Sequence, residues 1–186
     1  MLEPRIQQQF FEAADLQNQA ASILARPVAQ AAEVLWGCFT NGAKVMVAGC
    51  DAGGALASVI GAAFAGRFER ARPPLPAMTL RDDAGATLVQ QILALGQPGD
   101  VFLALDTGGR SEPLRQAAEA AHNKDMTLIV LTGADIGPWR QMLLDTDVHI
   151  AVPHERAARV AETQLLVLHS LCDAVDLQLM GEQESL

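Results

Sequence analysis

The chain has 186 residues, half of them hydrophobic, and a formal net charge of −9 at pH 7. The length suits one domain with its own core. The acidic charge argues against direct nucleic-acid binding, because such binding relies on Lys and Arg contacts to phosphates. No stretch is apolar for long enough to span a bilayer, and the three cysteines have no metal-binding or disulfide spacing, so we expect a cytoplasmic protein.

The pattern of apolar residues in the N-terminal region, residues 1–42, predicts helices. Apolar residues recur through it at helical spacing: Ile6, Phe10, Ala13, Leu16, Ala20 and Leu24. Pro27 stands where a first-turn proline would open a second helix, and Asn41 and Gly42 would end that helix. The region therefore predicts two N-terminal helices.

Residues 43–153 alternate between strand-sized apolar segments and helical segments. The predicted strands cover residues 44–48, 75–80, 101–105, 126–131 and 148–152. The predicted helices cover residues 55–66, 83–95, 112–122 and, weakly, 138–143, and a long helix follows over residues 155–180. This alternation is typical of a parallel sheet covered on both faces. We therefore predict a single α/β domain over residues 1–186, doubly wound, with a five-stranded, mostly parallel sheet flanked by helices.

The first and last helices are predicted to lie outside this sandwich. The last helix is apolar on more than one side, at Val160, Leu165, Leu168 and Leu171. A helix that is apolar around much of its circumference must be covered on all of those faces. We therefore expect the terminal helices to form a bundle between copies of the chain, with closed symmetry.

Two glycine-containing turns follow predicted strands, at the edge where open α/β sheets bind ligands. The candidate ligand-binding residues in them are Gly49, Gly53, Gly54, Thr107, Gly109, Arg110 and Ser111. Glycines let a backbone approach a ligand, a helix N-terminus favours an anion, and Arg110 would pair with a phosphate, whereas Asp106 would oppose one. The alternatives are a tight strand-to-helix turn for the first segment and a capping loop, with Ser111 as the cap, for the second.

His169 lies within an apolar helix, between Leu168 and Leu171. A core or interface histidine is the commoner case at such a position. No pair of histidines has metal-ligand spacing on a helix, and no Ser/His/Asp order or activated cysteine is evident.

Several short segments together resemble the SIS (sugar isomerase) family along nearly the whole chain. They are GRFE at 66–69, RPPLPA at 72–77, GDV at 99–101, DMTLIVLTG at 125–133, RVAE at 159–162 and LCDAVD at 171–176. Within the family the chain is similar to bacterial phosphoheptose isomerase and to the non-enzymatic DnaA initiator-associating protein, DiaA. The resemblance implies a homotetramer, or dimer of dimers, that binds phosphosugars at strand ends near a subunit interface.

The resemblance also implies which residues would hold a metal and move protons. The isomerase uses a histidine and a glutamate on the helix after the first turn, and a glutamine and a histidine on the last helix. The matching positions here are Val59, Ala63, Ala161 and His169, so only His169 is retained. The first turn has Gly53 where the family has serine, and the second begins with Asp106 instead of serine.

These replacements favour a non-catalytic protein of the phosphosugar-binding type, without a catalytic residue, metal or cofactor. We expect a DiaA-like regulator that binds the replication initiator DnaA, with Leu179 and Met180 as candidate partner contacts. The alternatives are a phosphoheptose isomerase, acting on sedoheptulose 7-phosphate, and a module that senses a phosphosugar without converting it.

Overall fold

The computed structural model of the protein describes residues 1–82 and 85–182. In chain order its elements are α1 (Glu3–Thr40), β1 (Val45–Gly49), α2 (Ala52–Ala65), β2 (Ala77–Thr79), α3 (Leu88–Leu95), β3 (Val101–Asp106), α4 (Glu112–His122), β4 (Thr127–Thr132), a 3-10 turn (Gly137–Gln141), β5 (Val148–Ala151) and α5 (Ala157–Met180). Within the described residues, no helix combines the length and the apolar character that a membrane crossing requires.

The five strands form one sheet in the order β2-β1-β3-β4-β5, and every neighbouring pair is parallel. The predicted α/β fold with a five-stranded parallel sheet is therefore confirmed. The chain runs from β1 to the edge strand β2 and then returns to β3 on the other side of β1. The connections after β1 and β3 thus diverge in opposite directions, which opens a crevice between the carboxyl ends of these two strands.

Alternate strand residues serve the two faces of the sheet, as a period of two requires. Val47 and Leu103 pack with α1, α2 and α5 on one face, whereas Met46 and Phe102 pack with α3, α4 and the 3-10 turn on the other. The prediction that the first and last helices lie outside the sandwich is wrong. Both form a layer with α2, because their apolar stripes contribute to the same core as the strands.

One continuous helix, α1, replaces the two predicted N-terminal helices, so the predicted boundary at Pro27 is wrong. A proline inside a helix removes one backbone hydrogen bond and costs about 3 kcal/mol. Buried residues on both sides of it, Leu24 and Ala31 among them, lie on one stripe that packs in the core. Tertiary packing therefore holds the helix together across the proline.

The third helix is shorter than predicted, because α3 begins at Leu88 rather than at Asp83. Thr87 caps it: the Thr87 hydroxyl accepts from the Gln90 N–H, and the Gln90 side chain accepts from the Thr87 N–H. This reciprocal capping box fixes the start of the helix. Residues 83 and 84 lie outside the described part of the chain.

A buried ion pair joins the end of α2 to α5. Arg72 Nε donates to Asp176 Oδ1 at 2.5 Å, and both side chains are almost fully buried. The same guanidinium donates to the backbone carbonyls of Ala63, at 2.7 Å, and of Phe64, at 2.9 Å. These carbonyls belong to the last turn of α2, where no helical N–H is available to them. Arg72 therefore bonds the end of one helix and one oxygen of a buried carboxylate on another, while Asp176 Oδ2 has no hydrogen-bond partner among the described residues.

We expect Arg72→Met to lower the free energy of unfolding by about 3–5 kcal/mol, because it leaves the Asp176 carboxylate buried without its cation. Urea unfolding followed by circular dichroism measures the change. Replacing both partners, as Arg72→Met/Asp176→Leu, should recover part of the loss, since no buried charge remains. Arg70→Met is the matched control, because Arg70 makes an exposed bond to the Gly181 carbonyl. An equal loss in the two single variants would contradict the assignment.

The turn after β1 is tight, as the alternative interpretation of its glycines predicted. A Cβ atom on Gly49 would lie 2.1 Å from the Gly53 carbonyl oxygen, and one on Gly53 would lie 2.2 Å from the Leu105 carbonyl oxygen. Asp51 sits between these glycines at φ 52° and ψ −123°, a conformation that side-chain-bearing residues rarely adopt. Its side chain makes no capping hydrogen bond to α2. The turn therefore holds Asp51 in a strained backbone conformation.

We expect Asp51→Gly to raise the free energy of unfolding by about 1 kcal/mol, because relief of the strain exceeds the entropic cost of a glycine. Asp51→Ala is the control, since alanine removes the carboxylate but keeps the Cβ atom and the strain. Denaturant unfolding of the three proteins measures the difference. A glycine variant that is no more stable than the alanine variant would show that the turn is relaxed.

Candidate functional site

The two predicted ligand-binding turns meet at the carboxyl ends of β1 and β3. We call this region, residues 49–54 and 106–111, the strand-end site. The Cys50 N–H donates to the Leu105 carbonyl at 3.3 Å, and the Ser111 hydroxyl donates to Cys50 Sγ at 3.0 Å. Every predicted ligand-binding residue thus lies in one region of the fold, at the point where the connections of β1 and β3 diverge.

The second turn is organised around Asp106, the last residue of β3. Asp106 is only 3% exposed, and its Oδ2 accepts from the Ser111 N–H at 2.9 Å and from the Trp139 indole N–H at 2.8 Å. The Ser111 hydroxyl accepts from the Leu114 N–H, so Ser111 caps α4, as the capping-loop alternative predicted. The turn therefore arranges its own carboxylate and hydroxyl around the start of α4.

Thr107 points to the last helix. Its hydroxyl donates to Gln164 Oε1 at 3.1 Å, and Gln164 is fully buried. Gln164 Nε2 has no hydrogen-bond partner among the described residues, which is costly for a buried amide. Gln164 belongs to no motif in the sequence. The available signal was a glutamine on the buried face of an apolar helix, where a polar side chain needs a partner.

Arg110 lies at the solvent-facing side of the second turn. Its guanidinium pairs with the exposed Asp135 carboxylate at 2.6 Å. This pairing, together with the Gly137 N–H, holds the pKa of Asp135 below its ordinary value. Arg110 is therefore engaged by the loop after β4.

The Cys50 thiol is half-buried between the two turns. Burial raises its pKa above the ordinary cysteine value, and the carboxylates of Asp106 and Asp51 act in the same direction against the bond from Ser111. A thiol with a raised pKa is protonated at neutral pH and is a poor nucleophile. Cys50 therefore contributes packing and a hydrogen bond to the site.

His169 does not join the strand-end site within one chain. Its ring lies 5.4 Å from the ring of Phe68, beyond the C-terminal end of α2, whereas the strand-end site lies at the N-terminal end of that helix. A surface cavity of about 240 Å³ lies there, lined by Phe68, Glu69, His169, Ser170 and Asp173. An imidazole and two carboxylates thus share one cavity apart from the two turns.

The metal implied by the family resemblance does not fit the residues present. Val59, Ala63 and Ala161 carry no donor atom in their side chains. Within residues 1–82 and 85–182, no group of three or more His, Cys, Asp and Glu side chains is arranged to hold a metal ion. His169 would provide a single nitrogen, whereas catalytic zinc sites generally have three protein ligands.

The two predicted partner contacts lie at the end of α5. Leu179 is partly buried against the core, and Met180 is exposed.

Comparison with known proteins gives the chain its family. The family model for the SIS domain matches residues 9–133. The phosphoheptose isomerase of Methylibium petroleiphilum is 48% identical over 99% of this chain and 98% of its own length. The phosphoheptose isomerase GmhA of Neisseria gonorrhoeae superposes with a TM-score of 0.88 at 34% identity, covering 95% of this chain and 99% of that one. A phosphoheptose isomerase from Francisella tularensis gives a TM-score of 0.90 at 31% identity, covering 95% and 98%.

These relationships correct the leading functional prediction. The prediction of a non-catalytic regulator that binds DnaA is wrong, because relatives that match nearly the whole chain are named phosphoheptose isomerase. They favour the alternative, phosphoheptose isomerase. The resemblance to the sugar isomerase family is confirmed by the matched model and by the superposed structures. The chain belongs to the SIS domain family.

Proposed function

We propose that the protein is a sugar-phosphate isomerase of the phosphoheptose isomerase type, with sedoheptulose 7-phosphate as its substrate. The observation that carries the proposal is the 48% identity, over 99% of this chain, to a protein of that name. The fold supports it, because the two turns of the strand-end site meet where α/β sheets bind ligands. A cytoplasmic location is part of the proposal, since three free cysteines fit a reducing compartment.

The reaction places demands on the side chains. To interconvert an aldose and a ketose, a base must take a proton from the carbon beside the carbonyl, and an acid must return one at the neighbouring carbon. Val59, Ala63 and Ala161 can do neither. His169 shares one cavity with two carboxylates, those of Glu69 and Asp173. We therefore assign proton transfer to His169 and Glu69.

The strand-end site would hold the phosphorylated end of the sugar. The N-terminal turns of α2 and α4 point backbone N–H groups towards this edge, and helix N-termini favour anions. His169 and Glu69 lie near the opposite end of α2 in the same chain. A substrate that contacts both groups at once therefore requires a second copy, which would bring its His169 cavity to the turns of the first.

Exposed apolar side chains on the first turns of α1 support this assembly. Ile6, Phe10 and Phe11 are each more than half exposed, and Leu166 of α5 is nearly so. A groove beside them, between α1 and α5, is lined by Gln9, Phe10, Ala13, Arg159 and Glu162. Large apolar surfaces of this kind mark interaction sites. We propose that a second copy of the chain covers them, in a homotetramer or dimer of dimers.

We expect light scattering to report an oligomer at micromolar concentration, and Phe10→Glu to dissociate it, because the charge would be buried in the apolar contact. Leu144→Glu is the matched control, since Leu144 is also exposed but lies on the loop before β5. A wild-type monomer, or equal dissociation by both variants, would contradict the proposed interface.

We expect the purified protein to convert sedoheptulose 7-phosphate into its aldose isomer. Proton NMR measures this conversion. His169→Ala should lower turnover about 100-fold or more, because a placed acid–base group contributes about 10²–10⁴-fold. Glu69→Gln should lower it in the same assay.

His154→Asn is the matched control for a lost histidine. His154 accepts from the Arg156 N–H, and an asparagine at this position can make the same bond. No turnover by the wild-type protein, with or without added Zn²⁺, would contradict the proposal. A ligand-induced rise in melting temperature without turnover would then indicate a phosphosugar sensor.

A further inference from the structure

A buried negative charge already occupies the start of α4. Asp106 Oδ2 lies 2.9 Å from the Ser111 N–H, one of the backbone donors at this helix N-terminus. Such donors are the groups with which helix N-termini bind phosphate oxygens. The ion pairs found among the described residues do not include Asp106, and the neighbouring cation, Arg110, is paired with Asp135. The carboxylate therefore occupies a backbone donor that a phosphate would otherwise use, and none of these ion pairs neutralises it.

We infer that Asp106 is a specificity-determining residue that weakens phosphate binding at the strand-end site. Its carboxylate competes for the Ser111 N–H and repels a dianion that approaches α4. The phosphate of a ligand at this site thus contributes less to affinity than the turn geometry would permit. The inference deepens the proposed function and rests on it for the choice of ligand.

The surrounding side chains keep the carboxylate in place. Trp139 is fully buried, and its indole N–H donates to the same oxygen, Oδ2. Rotation of Asp106 away from α4 would leave that N–H buried without an acceptor, which is unfavourable. The backbone of the turn is also closely packed, because a Cβ atom on Gly109 would lie 2.1 Å from the Asp135 carbonyl oxygen. An incoming phosphate therefore meets a carboxylate that two hydrogen bonds hold beside α4.

The test measures affinity for sedoheptulose 7-phosphate and for unphosphorylated sedoheptulose by calorimetry. Asp106→Asn removes the charge, while the amide oxygen can still accept from both Ser111 and Trp139. We expect this variant to bind the phosphorylated sugar about tenfold more tightly than wild type, and the unphosphorylated sugar equally well. A purely structural role would change both affinities together.

Asp145→Asn is the control for net charge, because Asp145 is exposed and precedes β5, at the opposite edge of the sheet. We expect it to leave both affinities unchanged. If Asp106→Asn does not fold, Asp106→Ser/Trp139→Phe removes the carboxylate and the indole N–H together and should show the same selective gain.

Three results would overturn the inference: equal affinity of wild type and Asp106→Asn for the phosphorylated sugar, a parallel change for both sugars, or no binding by either protein at millimolar ligand. Turnover separates this inference from the proposed function. A selective gain in affinity without wild-type turnover supports the role of Asp106 and contradicts the isomerase. Turnover with unchanged affinity does the reverse.

Discussion

The pairing of Arg72 with Asp176 is the constraint on which the arrangement of α2 and α5 on one face of the sheet depends. One buried guanidinium satisfies the last carbonyls of α2, holds the segment that leads to β2 and neutralises a carboxylate on α5. Because buried charges are tolerated only with their partners, the ends of α2 and α5 cannot shift independently. The direction of α2 in turn fixes both functional regions: its N-terminus borders the strand-end site, and the segment beyond its C-terminus carries Phe68 to His169.

The strand-end site combines tight backbone packing with side chains that are bonded to one another. Gly49, Gly53 and Gly109 permit close backbone packing, and the two turns are bonded to each other through Cys50 and Ser111. The side chains that would meet a ligand are largely committed to the protein itself: Thr107 to Gln164, Arg110 to Asp135. Ligand binding here must therefore exchange internal hydrogen bonds for new ones, so affinity depends on the difference between two similar sets of contacts.

The fold was predictable from the sequence because continuous apolar strands that alternate with helices are local patterns, and together they are typical of a parallel sheet covered by helices. The cap at Ser111 was predictable for the same reason, since capping depends on neighbouring residues. The interpretation failed where distant contacts decide. Pro27 reads as a helix start, but packing on both sides of it makes it a helix interior. The bonds of Asp106 to Trp139 and of Thr107 to Gln164 join residues 33 and 57 positions apart, which no local pattern reports.

The N-terminal end of α1 has a further consequence. Leu16 is the first buried residue of the chain, so about four helical turns precede any full burial. A helix of that length is marginal in water by itself. Hydrogen bonds from the Arg156 and Arg159 side chains to Gln9 and Glu12 join it to the start of α5. Ordering of this segment and its binding to another subunit would then be a single coupled transition. Part of the free energy of association would offset the entropy that the segment loses when it becomes helical.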